Sequence, residues 1–60
     1  MYQLIITNNN GSVIDGMKAD KTTIRILAIY AKNYFPTVKW AAVMNTATGE
    51  LEEIYCKKRA

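Results

Sequence analysis

The chain has 60 residues, with no histidine and only one cysteine, one proline and three glycines. The single thiol, Cys56, cannot form an internal disulfide, and without histidine it cannot supply the three or four ligands of a zinc site. No apolar run approaches the roughly 20 residues of a membrane span, and no signal peptide is visible. We therefore predict that the protein binds no metal or cofactor and does not associate with a membrane. A lone thiol favours a reducing, cytoplasmic location.

Basic residues exceed acidic residues by three, and the excess lies at the C-terminus. Lys57, Lys58 and Arg59 are consecutive, whereas the other five basic residues balance the five acidic ones. We expect one neutral domain spanning residues 1–60 with a short basic tail at 57–60. A chain this short buries only about 60% of its unfolded surface. With disulfides and metals excluded, oligomerisation is the remaining support.

The elements follow from residue types and turn signals. Asn10-Gly11 and Gly49 mark two hairpin turns. Asp20 is suited to cap a helix, which Pro36 ends. Aromatic and β-branched residues predict four strands, at 2–7, 12–17, 38–45 and 50–57. The order ββαββ predicts an α+β domain, in which one helix packs across one face of a four-stranded sheet.

Side-chain alternation then assigns faces. A three-residue loop with a left-handed glycine suits both hairpins and pairs Ile6 with Ile14, Ala42 with Ile54, and Trp40 with Cys56. The residues predicted to face the helix are Tyr2, Leu4, Ile6, Ile14, Trp40, Ala42, Met44, Ile54 and Cys56. The predicted core side of the helix comprises Thr23, Ile24, Leu27, Tyr30, Ala31 and Tyr34.

Three segments carry a family resemblance: the opening Tyr2-Gln3-Leu4-Ile5-Ile6, the pair Tyr30-Ala31, and Trp40 at the second hairpin. Together they resemble the β-grasp immunoglobulin-binding domains of the protein G kind. The resemblance implies a sheet of order 2-1-4-3. Antibody binding is not carried over, because the matching helix positions are mostly apolar. The charged run 50–58 is typical of an edge strand, so an antiparallel order of 2-1-3-4 is the alternative.

The residues offer little for catalysis, and we expect no enzyme. Cys56 has no histidine to form a nucleophilic pair, and we expect it in the core beside Trp40. The remaining sheet face predicts an apolar patch that would bind a protein partner or a second copy. Its expected contacts are Ile5, Val13, Met17, Val43, Leu51 and Tyr55, with Ile26 and Ile29 at the helix edge. We therefore expect a small protein-interaction module that forms homo-oligomers, in the manner of phage or mobile-element accessory proteins that bind a host component.

Nucleic-acid binding is the alternative function. Tyr55 between Lys39 and Lys57 suggests a platform for stacking a base beside phosphate contacts. Further phosphate contacts could come from a basic stripe on the helix, formed by Lys21, Arg25 and Lys32. The acidic Glu53 and Asp15 on the same sheet face oppose this alternative.

Overall fold

The computed structural model describes residues 1–56 and contains four strands and one helix. They are β1 (Tyr2–Asn8), β2 (Val13–Ala19), α1 (Lys21–Tyr34), β3 (Val38–Asn45) and β4 (Glu50–Cys56). The predicted ββαββ order and the α+β class are confirmed. The helix is too short and too polar to cross a membrane, and it is the one helix within residues 1–56.

All four strands are antiparallel, and they lie in the order β2-β1-β3-β4. This is the second of the two orders expected from the sequence, and it leaves the charged β4 at one edge. The helix leads from the edge strand β2 back across the sheet, so that β3 pairs with β1. The predicted pairing of Ile6 with Ile14 in the first hairpin is confirmed.

The first turn has the predicted three-residue form. Asn8 and Ser12 close the loop through an amide-to-carbonyl hydrogen bond of 2.9 Å, and the amide of Gly11 donates to the carbonyl of Asn8. Gly11 has φ of 90°, in the left-handed region that glycine enters without steric cost.

The second turn has four residues, 46–49, and Gly49 adopts φ of 76°. The pairs Ala42–Ile54 and Trp40–Cys56 nevertheless form as predicted. The reason is a bulge: Met44 pairs with Leu51 but Val43 pairs with Glu53, so one extra β4 residue restores the pairing.

The predicted orientation of the second hairpin is wrong. Leu4 pairs with Val43 and Ile6 with Ala41, so Ala41 and Val43 face the helix. The residues predicted beneath the helix that lie on the opposite face are Trp40, Ala42, Met44, Ile54 and Cys56. The helix buries Ala28 and Ala31 against the sheet. These small side chains allow a close approach, which suits alanine and valine beneath the helix better than tryptophan.

The helix begins as predicted, since the amide of Thr23 donates to the Asp20 carboxylate at 3.3 Å. The Thr23 hydroxyl also donates to it at 2.6 Å, and these bonds lower the pKa of Asp20. The fully buried side of the helix is narrower than predicted and consists of Ile24, Ala28 and Ala31. Tyr30 and Tyr34 were expected in the core but are 51% and 66% exposed.

Candidate protein-binding face

The helix covers one face of the sheet, and the other face is hereafter called the outer face. Strand pairing arranges its side chains in three rows that run from β2 to β4. The rows are Val13–Thr7–Trp40–Cys56, Asp15–Ile5–Ala42–Ile54 and Lys18–Gln3–Met44–Leu51. Most of the apolar side chains lie in the half formed by β3 and β4.

The outer face exposes apolar side chains around a buried floor. Ile5 and Ala42 form the floor and are 7% and 0% exposed. Val13 at 60%, Ile54 at 53% and Leu51 at 39% stand around it. Trp40 and Met44 are half-buried between them, and Cys56 is exposed. These exposed apolar side chains share one face of the sheet, and large apolar patches on a protein surface usually mark interaction sites.

One polar atom of the outer face is unsatisfied. The Oγ1 of Thr7 is buried and makes no hydrogen bond within residues 1–56. Thr7 lies between Val13 and Trp40 in its row. Buried hydroxyl groups usually have a partner, but because this hydroxyl is buried, a group that approaches the outer face reaches it only after a neighbouring side chain moves.

The charged residues of β4 contact the helix on the opposite face. Arg25 donates to both carboxylate oxygens of Glu53, at 2.9 and 2.7 Å, in the two-pronged geometry that arginine favours. The Tyr55 hydroxyl donates to Glu53 at 2.5 Å. Lys21 lies 3.0 Å from Glu52. This cluster ties the helix to β4 and leaves the outer face without glutamates.

The cluster formed by Arg25, Glu53 and Tyr55 is suited to holding the helix on β4 and not to proton transfer. The hydrogen bonds from Arg25 and Tyr55 hold the pKa of Glu53 at about 2, so this carboxylate has no proton to give near neutral pH. The same pairing raises the pKa of Arg25 and of Tyr55. The groups are therefore fixed in charge states that favour pairing over proton transfer.

Acidification should weaken the domain through this cluster. Glu53 has a pKa of about 2 when folded and 4.5 as its ordinary value, so its contribution is full above pH 4.5 and is lost as the pH falls toward 2. Glu52 acts in the same direction, because its pKa is also lowered. We expect the melting temperature, followed by circular dichroism, to fall between pH 5 and pH 2. The Glu53→Gln variant should have a lower melting temperature at pH 5, and its melting temperature should fall less between pH 5 and pH 2. An equal fall in both proteins would contradict this role.

The structure divides the residues predicted for partner binding. Val13, Leu51 and Ile5 lie on the outer face as expected, although Ile5 is buried in its floor. Val43 and Tyr55 do not, because they pack against the core beneath the helix. The remaining predicted contacts lie elsewhere: Met17 is exposed in the bulge of β2, Ile26 is exposed on the helix, and Ile29 is half-buried there.

Within residues 1–56, the structure does not bring the residues predicted for the nucleic-acid platform together on one face. The Tyr55 hydroxyl donates a hydrogen bond to Glu53 on the helix side of the sheet. Lys57 lies outside the described residues. Lys21 and Arg25, predicted as phosphate contacts, are paired with Glu52 and Glu53. Of the other predicted contacts, Lys39 is exposed and Lys32 is half-buried.

Sequence reasoning missed five residues of the outer face: Trp40, Ala42, Met44, Ile54 and Cys56. A signal for them was present in the charges. Lys21 and Arg25 lie four residues apart on one side of the helix, so both can reach one strand. Matching them to the glutamates of β4 would have turned the second hairpin to its observed side.

No protein-family model, no curated protein and no solved structure matches this chain. The geometry of the outer face is therefore the basis for a functional proposal.

Proposed function

We propose that this protein is a non-enzymatic interaction module that binds a protein partner through its outer face. The observation that carries the proposal is the exposure of Ile54, Leu51 and Val13 around a buried apolar floor, on the side of the sheet without a helix. Burying such side chains against another apolar surface is favourable by about 25 cal/mol per Å2.

The charge pattern supports a protein rather than a nucleic acid as the partner. Within residues 1–56, the charged members of the three rows are Asp15 and Lys18, both on the edge strand β2, and they cancel. Phosphate binding needs several uncompensated cations. Lys21 and Arg25 are compensated by glutamates on the other side of the sheet. The apolar half of the outer face is therefore suited to a partner that is itself apolar.

The size of the outer face fits a modest interface. Four strands about 4.8 Å apart and roughly 25 Å long give a face on the order of 500 Å2. Contact with a partner would then bury about 1,000 Å2 in total, at the lower end of specific protein–protein interfaces. The single module should therefore bind weakly or transiently.

A lysine at Ile54 should remove partner binding without unfolding the protein. Ile54 is 53% exposed, so the ammonium group can remain in water, but it would stand in the apolar half of the contact. The measurement is affinity capture from cells of the source organism with wild-type protein and Ile54→Lys, followed by titration of the captured protein. We expect the affinity of the captured protein to fall at least tenfold, because a charge replaces one of the most exposed apolar contacts.

The matched control is Ile26→Lys, because Ile26 is 61% exposed but lies on the helix. This variant should bind as the wild type does. Equal capture by Ile54→Lys and wild type, or loss of capture by Ile26→Lys alone, would contradict the assignment of the outer face. Capture of nucleic acid in place of protein would favour the alternative function.

A further inference from the structure

The two edges of the sheet differ in charge. The edge strand β4 carries Glu50, Glu52 and Glu53, and two of these strands placed together would bring like charges into contact. The edge strand β2 has one acidic and one basic residue, Asp15 and Lys18. A symmetric pair of identical chains needs a surface that complements itself. Within residues 1–56, the β2 edge has this property and the β4 edge does not.

The backbone of β2 is oriented for pairing at these two positions. The hydrogen bond between Asn8 and Ser12 fixes the alternation of the first hairpin, in which every second residue of β1, counted from Asn8, bonds to β2. Asp15 and Lys18 lie opposite Ile5 and Gln3, at positions where the amide and carbonyl groups point away from β1. The amide and carbonyl groups of Asp15 and Lys18 therefore point toward the open edge of the sheet, where a second strand could bond to them.

A bulge places the two charges on the same face. Asp15 and Lys18 are three residues apart, and simple alternation would put them on opposite faces. The pairing shifts between Gln3 and Ile5, so Gly16 and Met17 together oppose Leu4. Both charged side chains consequently lie on the outer face, where a second strand could meet them.

We propose that two copies of this chain pair antiparallel through their β2 edges, about a two-fold axis between Gly16 and Met17. In this arrangement Asp15 of each copy lies opposite Lys18 of the other, so two cross-strand ion pairs form. Ile14, which is 49% exposed on the helix side, lies opposite Ala19 of the other copy. The product is a continuous eight-stranded sheet with both helices on one side.

The helix supplies further contact area above the β2 edge. Tyr30 and Tyr34 lie half a turn around the helix from Lys21 and Arg25, which face β4. The tyrosines therefore flank β2. Their rings are 4.7 Å apart, and Phe35 packs edge-on against Tyr30 at 5.9 Å. These exposed aromatic rings would border the paired strands, as expected of side chains that are partly covered in an assembly.

The pairing involves the edge and not the outer face, so it goes beyond the proposed function. It also changes what the outer face can do. Two outer faces joined edge to edge give a surface on the order of 1,000 Å2, with Asp15 and Lys18 of both copies at its middle and an apolar half at each end. A partner that covers this surface would bury about 2,000 Å2 in total, which is in the range of stable complexes.

Charge reversal tests the pairing. Wild-type protein should sediment at micromolar concentration and low salt as a species of twice the 6.8 kDa of one chain. Asp15→Lys and Lys18→Asp should each weaken dimerisation about 10- to 30-fold, because both cross-strand pairs become repulsive. An equimolar mixture of these two variants should form dimers again, since each lysine then meets an aspartate. The double variant Asp15→Lys/Lys18→Asp should also dimerise.

Glu50→Lys and Lys39→Asp are matched controls, because they change the net charge equally at exposed positions outside the β2 edge. They should dimerise as the wild type does. A monomeric wild type, single variants that dimerise undiminished, or a mixture that stays monomeric would each overturn the proposal. Ile54→Lys should not change the dimer mass, so failure of the edge pairing and failure of the outer face are measured separately.

Discussion

Replacing Val43 with lysine is expected to unfold the protein. Val43 has 0% exposure and belongs to the core cluster with Leu4 and Ile24. An ammonium group buried there without a partner costs several kcal/mol. A domain of this length has a free energy of unfolding of roughly 3–9 kcal/mol, so the substitution removes most or all of it. Circular dichroism and proton NMR should show an unfolded chain at 25 °C.

The control is the next residue of the same strand. Met44 is half-buried on the outer face, so Met44→Lys can extend its ammonium group into water. This variant should keep a cooperative unfolding transition. A folded Val43→Lys protein together with an unfolded Met44→Lys protein would mean that β3 is turned the other way.

Ile24→Ala should be the most destabilising truncation on the helix. Ile24 is 0% exposed and is one of the two largest fully buried side chains within residues 1–56. Removing its buried methyl and methylene groups leaves a cavity against the sheet, and such truncations typically cost about 2–5 kcal/mol. Urea denaturation should show a lower midpoint with an unchanged slope.

Ile26→Ala provides the comparison for Ile24→Ala, because the two residues share a helix and a side chain but Ile26 is 61% exposed. Its free energy of unfolding should change by less than about 0.5 kcal/mol. Equal losses in the two variants would show that the helix does not present Ile24 to the sheet.

The elements and hairpin pairs could be predicted because their signals are local. Asp20 and Pro36 bound the helix through capping and backbone restriction, which depend on neighbouring residues alone. Gly11 and Gly49 occupy the left-handed positions that their turns require. The strand order remained one of two alternatives, since the choice depends on contacts between distant segments.

The orientation of the second hairpin could not be predicted from alternation. In β3 both sides are apolar, with Trp40, Ala42 and Met44 on one and Ala41 and Val43 on the other. The larger side chains of Trp40 and Met44 favour placing that side in the core. The small residues of the helix and its ion pairs with β4 instead favour the orientation in which Ala41 and Val43 face the helix. Size alone is a poor guide when the partner surface consists of alanines.

The sequence predicts that the outer face is apolar. Because the second hairpin is turned over, many of the residues on that face differ from those predicted. Val13, Leu51 and Ile5 keep their predicted place because the first hairpin and the start of β4 were assigned to the correct face. Tyr55 and Val43 changed sides with the second hairpin. Which partner binds there depends on the partner's own surface, which this sequence does not encode.

The most direct test of the face assignment is a set of nuclear Overhauser contacts from the Trp40 indole and the Val43 methyl groups in the folded protein. The structure predicts contacts between Val43 and Ile24 across the core, and contacts of Trp40 with Cys56 on the side away from the helix. Contacts from the Trp40 indole to Ala28 or Ile24, with Val43 lacking contacts to the helix, would contradict it.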